Sequence, residues 1–223
     1  MSDVEQTVHV CAEHKKARKL LKHVTELRKN DGRSKSRVLV FANRIKTVNF
    51  VGETLRRHGE KVGCLHGELK QEKREAALRD FKSGKTPCLV ATDVAARGLD
   101  IKGVSHVFNF DVPSHAEDYV HRIGRTGRAG ETGIALSLVS ADEVSQLQKI
   151  ERLIKKSIPR EEIDGFEPEH RLPTKPVKTS GKRPPRKAKA KPGAERRGGQ
   201  SAKRDGQSAK RGGRSRKPAT ARA

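Results

Sequence analysis

An open, mostly parallel α/β sheet with helices on both faces is the fold this sequence predicts, and three observations predict it. Short, nearly uncharged apolar runs alternate with segments whose apolar residues return at helical spacing. The connections between them are only a few residues long, as in units that wind back and forth across a parallel sheet. Three polar segments of unusual composition, His66-Gly67, Thr92-Asp93 and the stretch after Phe110, each begin where an apolar run stops. Ligands of such sheets collect beyond the carboxyl ends of the strands.

Thr7 to Cys11 alternates and reads as an opening strand. From His14 to Arg28, Ala17, Leu20, Leu21, Val24 and Leu27 share one helical face. Asn30-Asp31-Gly32 ends that helix, and Gly32 to Arg37 is a basic loop. Val38 to Ala42 is apolar throughout, the mark of a strand buried on both faces. A helix over Ile45 to His58 follows, with Val48, Val51 and Leu55 on its inner side. Lys61 to His66 is the next strand, and Lys70 to Lys82 a helix that turns Ala77, Leu78 and Phe81 inward. Further strands fall at Pro87 to Ala91, Val104 to Phe110 and Thr132 to Val139, with a helix over Ser114 to Ile123 between the last two. A helix from Asp142 to Lys156, capped by Asp142, closes the domain.

Charge divides the chain. Residues 1–170 carry 31 Lys+Arg and 25 Asp+Glu, whereas residues 171–223 carry 19 and 2. The second segment is rich in Gly, Pro, Ala and Ser and has almost no large apolar residue. It cannot recover the entropy of folding by burial, so disorder is expected. The chain thus divides into a folded domain at 1–165 and a disordered basic tail at 166–223. GQSAKR occurs twice in the tail, at Gly199 to Arg204 and Gly206 to Arg211, as part of a low-complexity arm. Lys182-Arg183-Pro184-Pro185-Arg186-Lys187, followed by Lys189 and Lys191, suits nuclear import, nucleic-acid contact or both, and points to the nucleus or nucleolus. The basic excess favours polyanionic partners, above all nucleic acid. Cys11, Cys64 and Cys88 form no CxxC pair, which fits a reduced intracellular compartment and suggests no zinc site. No apolar stretch approaches the roughly 20 residues needed to cross a bilayer, and the N-terminus lacks a signal-peptide core. No membrane partner is expected.

The densest chemistry lies in His121-Arg122-Ile123-Gly124-Arg125-Thr126-Gly127-Arg128. Each glycine costs a helix roughly 1 kcal/mol and lets the backbone turn tightly or approach a ligand. Arg125 and Arg128 offer planar forks of donors suited to phosphate oxygens. Local chemistry allows both a phosphate-directed cluster and a solvated basic loop. The sequence holds no GxxxxGK[ST] cradle, and Gly181-Lys182 has neither a preceding strand nor the glycine spacing. Arginines aimed at phosphate without a cradle imply a nucleotide held mainly by another domain or another chain, the logic of an arginine finger.

Val38 to Arg44 (VLVFANR), Leu65-His66-Gly67, Gln71-Glu72-Lys73-Arg74, Ala91 to Asp100 (ATDVAARGLD) and HRIGRTGR, in this order and spacing, resemble the second RecA-like lobe of the DEAD-box RNA helicases. The matching blocks span residues 38–130, and the likeness in fold extends over 1–160. The resemblance implies a RecA-like helicase C-terminal lobe, with RNA and ATP as ligands. Gly67, Gln71, Arg74, Thr92 and Arg97 would meet the RNA sugar-phosphate backbone, with Arg44 and Phe41 at the border of that face. For Arg74 the alternative is a solvated turn. Asp100 would touch the ATP ribose and orient Arg128, with Gly98 beside it. Arg125 and Arg128 would reach the γ-phosphate and stabilise charge in the transition state. His121, with Arg122 and Asp93, would couple this lobe to the first one.

The family's phosphate-binding loop, its DEAD acids for Mg2+ and the attacking water, and its adenine site belong to a first lobe that this sequence lacks. The expected ATP and Mg2+ would therefore be held mainly by that lobe in cis, with no metal ligand here. Met1 falls almost where the inter-lobe linker would end, which fits a truncated gene product, an incomplete gene model or a deliberately cut chain. Two functions follow. One is the second lobe of an ATP-dependent RNA helicase, monomeric and inactive alone. The other is a non-enzymatic basic module that binds or anneals RNA.

Overall fold

Val38, Leu39, Val40 and Phe41 are all apolar because both sides of their strand face protein. Val38 and Val40 enter one core with Leu20, Val24, Val48, Val51 and Leu55, while Leu39 and Phe41 enter another with Phe81, Ala95 and Ile101. The computed structural model describes residues 4–30, 36–98, 101, 103–128 and 130–161. In chain order the strands are β1 (Val4–Val10), β2 (Val38–Phe41), β3 (Val62–Leu65), β4 (Cys88–Ala91), β5 (His106–Asn109), β6 (Gly133–Val139) and β7 (Arg160–Glu161). They form one sheet in the order β3-β4-β2-β5-β6-β1-β7, and every neighbouring pair is parallel.

The helices are α1 (Lys16–Asn30), α2 (Ile45–Arg57), α3 (Gln71–Lys82), α4 (Asp93–Ala96), α5 (Ala116–Ile123) and α6 (Val144–Ile154). α1 and α2 cover one face. α3 and α4 cover the other face over β2, β3 and β4, and α5 and α6 continue that layer over β1 and β6 through Tyr119, Ile123, Leu147 and Ile150. The expected open parallel sheet with helices on both faces is what forms.

Four details depart from the sequence reading. β1 begins at Val4 rather than Thr7, because Val4 to Gln6 pair with Gly133 to Ala135 although their composition is mixed. The four-residue α4 is shorter than any period that could announce it. β7 adds two residues to the edge beside β1. Asp142 does not cap α6: the N-cap is Glu143, a 3-10 turn over Ala141–Glu143 precedes the helix, and the capping box sits on that turn, where the Glu143 carboxylate accepts from the Ser140 amide at 3.0 Å. The segment 166–223 with its repeats, most of the basic loop at 32–37 and Asp100 lie outside the described residues.

The register brings the working ends of the strands into line. Leu65 pairs with Ala91, Ala91 with Phe41, and Phe41 with Asn109. His66, Thr92, Ala42 and Phe110 therefore leave the sheet side by side along one edge.

Candidate functional site

Arg122 organises that edge. It lies on the last turn of α5, is 1% exposed, and spends its guanidinium on four neighbours. Nε and Nη2 donate to the two carboxylate oxygens of Asp93 at 2.7 and 2.6 Å. Nη2 also donates to Asn43 Oδ1 at 2.7 Å, and Nη1 donates to the Asp111 carbonyl at 2.7 Å and Asn109 Oδ1 at 3.3 Å. The guanidinium carbon sits 5.2 Å from the centre of the Phe41 ring. The forked pair with Asp93 and the full set of acceptors are what a buried arginine needs to offset its desolvation. One side chain thus ties the ends of β2, β4 and β5 to α5.

The loop after α5 is fixed from below. α5 stops at Gly124, and Gly127 takes a φ of 65°, a left-handed conformation that glycine adopts without strain. Thr126 between them is buried, and its hydroxyl lies 2.6 Å from the Val104 carbonyl and 3.0 Å from that of Ser105. A Cβ on Gly133, at the start of β6, would collide with the Gly127 amide nitrogen and the Thr126 side chain. The absence of a side chain at Gly133 is what lets the loop lie this close.

Arg125 and Arg128 project from this anchored loop. Arg128 is exposed, and its Nε donates to the Gly124 carbonyl at 2.6 Å. Arg125 is half-buried; burial first, and then the neighbouring charge of Arg128, disfavour its protonated form. Two like charges held near one another in part-desolvated surroundings gain from an anion between them. Arg125 shares a shallow cleft with Phe41, Asp93, Ala96, Arg97, Asp118, His121 and Arg122. Asp118 accepts from Arg97 Nη2 at 2.6 Å and lies 3.9 Å from the exposed His121 ring. Gly98 follows in a left-handed conformation, with open space where a Cβ would stand.

The remaining candidates line the neighbouring strand ends. Gly67 and Gln71 are exposed, and Gln71 donates to Glu75 Oε1 at 2.7 Å. Lys70, the N-cap of α3, offers no side-chain acceptor to the first-turn amides, which leaves that helix end suited to an anion. Arg74 is half-buried and donates from Nη2 to the Ala95 carbonyl at 2.9 Å, tying α3 to α4. Thr92 is buried, and its amide donates to the Leu65 carbonyl at 3.1 Å. Arg44 is exposed at the start of α2.

His121, Arg122, Arg125, Arg97 and Asp93 thus meet in one cleft, and Gly67, Gln71, Arg74 and Thr92 stand on the adjoining β3–β4 side. Asn43, Asn109, Asp111, Thr126 and Gly133 complete the site; Asn43 and Thr126 lie within the motifs read in the sequence, without a role assigned there, and Asn109, Asp111 and Gly133 were missed. Asn109 carried a usable signal, since an amide inside an apolar strand needs a buried partner. Among the described residues, no three or more His, Cys, Asp or Glu side chains gather as a metal site would require.

A parallel sheet with arginines and backbone turns gathered beyond its strand ends defines a RecA-like lobe. The model of the helicase conserved C-terminal domain matches residues 15–130. The chain belongs to the DEAD-box helicase family and carries that family's C-terminal lobe. It is 45% identical over 161 residues to the ATP-dependent RNA helicase DBP2 of Scheffersomyces stipitis, covering 71% of this chain and 30% of that protein. It is 52% identical over 122 residues to the DEAD-box ATP-dependent RNA helicase CshA of Geobacillus kaustophilus, covering 55% and 26%. The chain therefore spans less than a third of the length of these relatives. Among solved structures, the E. coli DEAD-box protein SrmB, bound to regulator of ribonuclease activity A, superposes with a TM-score of 0.69 at 39% identity, over 77% of this chain and 98% of that one. Domain 2 of the Mss116p DEAD-box helicase, bound to an RNA duplex, gives 0.64 at 28% identity, over 73% and 64%. No helix among the described residues is long and apolar enough to cross a membrane.

Proposed function

We propose that residues 1–165 work as the second lobe of an ATP-dependent RNA helicase, with 166–223 as a basic extension. The observation that carries this reading is the anchored loop that presents Arg125 and Arg128 beside a strand-end edge, in a sequence without a phosphate cradle. The adenine, the β-phosphate and Mg2+ would be held by a first lobe, and Arg125 and Arg128 would close on the γ-phosphate from this side. Their positive charge meets charge that shifts toward the leaving oxygen, so they act on the transition state more than on ground-state binding. Asp100 would contact the ribose, with Gly98 giving the chain room to approach.

Gly67, Gln71, Arg74, Thr92 and Arg97 would hold RNA by its sugar-phosphate backbone. Such contacts position a strand without reading its bases, so affinity would be sequence-indifferent and would fall with salt. The relatives' names and the RNA duplex bound to Mss116p domain 2 support RNA as the ligand. His121 faces outward from the same helix that holds Arg122, which suits a contact with the first lobe, while Arg122 and Asp93 keep that helix in place.

The test joins a first lobe in cis and measures RNA-stimulated ATP hydrolysis. The 223-residue chain alone should hydrolyse ATP negligibly, and the joined protein should turn over. Arg125→Ala with Arg128→Ala should lower that rate by about 100-fold or more. Substantial ATPase from the chain alone would refute the reading.

The charge of residues 171–223 favours a second reading, a non-enzymatic RNA-binding module in which the extension dominates. That reading wins if deleting 171–223 abolishes all RNA affinity and the double arginine variant changes nothing in the joined protein. The basic run at 182–191 would also direct the chain to the nucleus; a fluorescent fusion that distributes identically without 182–191 would exclude this.

A further inference from the structure

Two ion pairs join α4 to α5, and they are reciprocal in charge. Asp93, the first residue of α4, pairs with Arg122 of α5, and Arg97, which caps the other end of α4, pairs with Asp118 of α5. Acid and base stand four residues apart in each segment. Their surroundings differ. The Arg122 side chain is 1% exposed, whereas that of Arg97 is 60% exposed and that of Asp118 14%. An enclosed, forked pair is hard to open, because a charge would be left unsolvated. An exposed pair contributes little and yields to a competing anion.

The exposed contact runs from Arg97 Nη2 to Asp118 Oδ1 at 2.6 Å. The same oxygen stands 3.9 Å from His121 Nδ1, one turn further along α5. That separation is too long for a hydrogen bond, so Asp118 serves Arg97 and leaves the His121 ring unbonded to it. Asp118 thus lies between a side chain directed at RNA phosphate and one directed at the first lobe. We propose that Asp118 is a positioning residue that exchanges Arg97 for His121 when RNA arrives. The RNA phosphate takes the Arg97 fork, and the released carboxylate turns to accept from His121 Nδ1, fixing the ring that faces the first lobe. The enclosed Asp93–Arg122 pair keeps α4 and α5 together while the exposed pair opens. This inference rests on Arg97 meeting RNA.

The first test is residue-resolved NMR of the full chain titrated with a single-stranded RNA oligomer. Saturable shifts are expected at Asp118 and His121, with the same midpoint as those at Gly67 and Thr92. In Asp118→Asn the His121 ring should no longer follow. Shifts at Gly67 and Thr92 with His121 unmoved would overturn the exchange and leave the RNA contacts standing. No shift at Gly67 or Thr92 would remove the RNA reading, and the exchange with it. The second test uses the two-lobe protein, in which Asp118→Asn removes both the competitor for Arg97 and the anchor for His121. The RNA concentration for half-maximal ATPase stimulation should fall about threefold, while the maximal rate falls about fivefold or more. A merely structural role would weaken RNA binding and rate together, and any pattern other than tighter RNA with a slower rate would overturn the exchange. Should Asp118→Asn fail to fold, the titration of the unmutated chain still decides.

Discussion

Replacing Arg122 with methionine tests whether the strand ends are held by a single side chain. Methionine keeps the length and apolar stem but removes both bonds to Asp93, at 2.6 and 2.7 Å, and strands Asn43 Oδ1, Asn109 Oδ1 and the Asp111 carbonyl. Removing one partner of a buried ion pair costs about 3–5 kcal/mol. The Asp93 side chain is 22% exposed, and water reaching it moves the expectation to the lower end, about 3 kcal/mol. At a urea dependence of roughly 1–3 kcal/mol per molar, the unfolding midpoint should fall by about 1–3 M. Arg122→Lys keeps the charge without the fork and should fall between wild type and Arg122→Met. Pairing Arg122→Met with Asp93→Asn should recover part of the loss, because the uncompensated charge is gone. A midpoint within about 0.3 M of wild type for Arg122→Met would refute the argument.

Three further outcomes follow from the geometry. Gly133→Ala should cost about 1–3 kcal/mol in urea unfolding, because Cβ meets the Gly127 backbone, and should lower ATP turnover of a two-lobe protein beyond any change in RNA affinity; an unchanged turnover would show that the loop tolerates displacement. Burial holds His9 at about 3 and His23 at about 4, so both rings are neutral in the fold at pH 7 and stability is full there. As pH drops below 6.5 the unfolded chain takes up protons first, so each ring should remove up to about 1.4 kcal/mol per pH unit, and His9→Gln should flatten the fall in urea midpoint between pH 7 and 5. Lys16 is wholly buried against Glu13 at 2.8 Å and Glu143 at 2.5 Å, so Lys16→Met should lower the thermal midpoint and Glu143→Gln should recover part of it in the double variant; strict additivity would show that the two side chains do not act as a pair.

The layering was legible because a strand buried on both faces has no place for charge, as Val38 to Phe41 and Cys88 to Ala91 show. Strand order was not legible, since nothing in Val4 to Val10 says that it inserts between β6 and β7. The arginine motif was found, but its three arginines look alike in a sequence. Burial separates them: Arg122 is enclosed, Arg125 half-enclosed and Arg128 exposed. Asn43 and Asp111 could not be singled out, because both are polar residues at strand ends, where polarity is the norm. The Gly133 contact was hidden for a different reason, since a glycine opening a strand looks like any turn until the loop above it is placed.

The position of β1 has a consequence for how the chain is made. Val4 pairs with Gly133, so the strand synthesised first must wait for almost the last element of the sheet. At about 5–20 residues per second, synthesis takes roughly 6–26 s to advance the 129 positions from Val4 to Gly133. Throughout that interval Val8 and Val10, both buried in the finished sheet, have no strand beside them. β2 to β5 are contiguous in the sheet, so they can pair among themselves meanwhile and leave the leading strand unclaimed. Such a delay slows folding and leaves an edge open to wrong partners. The ribosome and its attendant chaperones would meet this lobe first as a loose β-strand, well before its arginines exist.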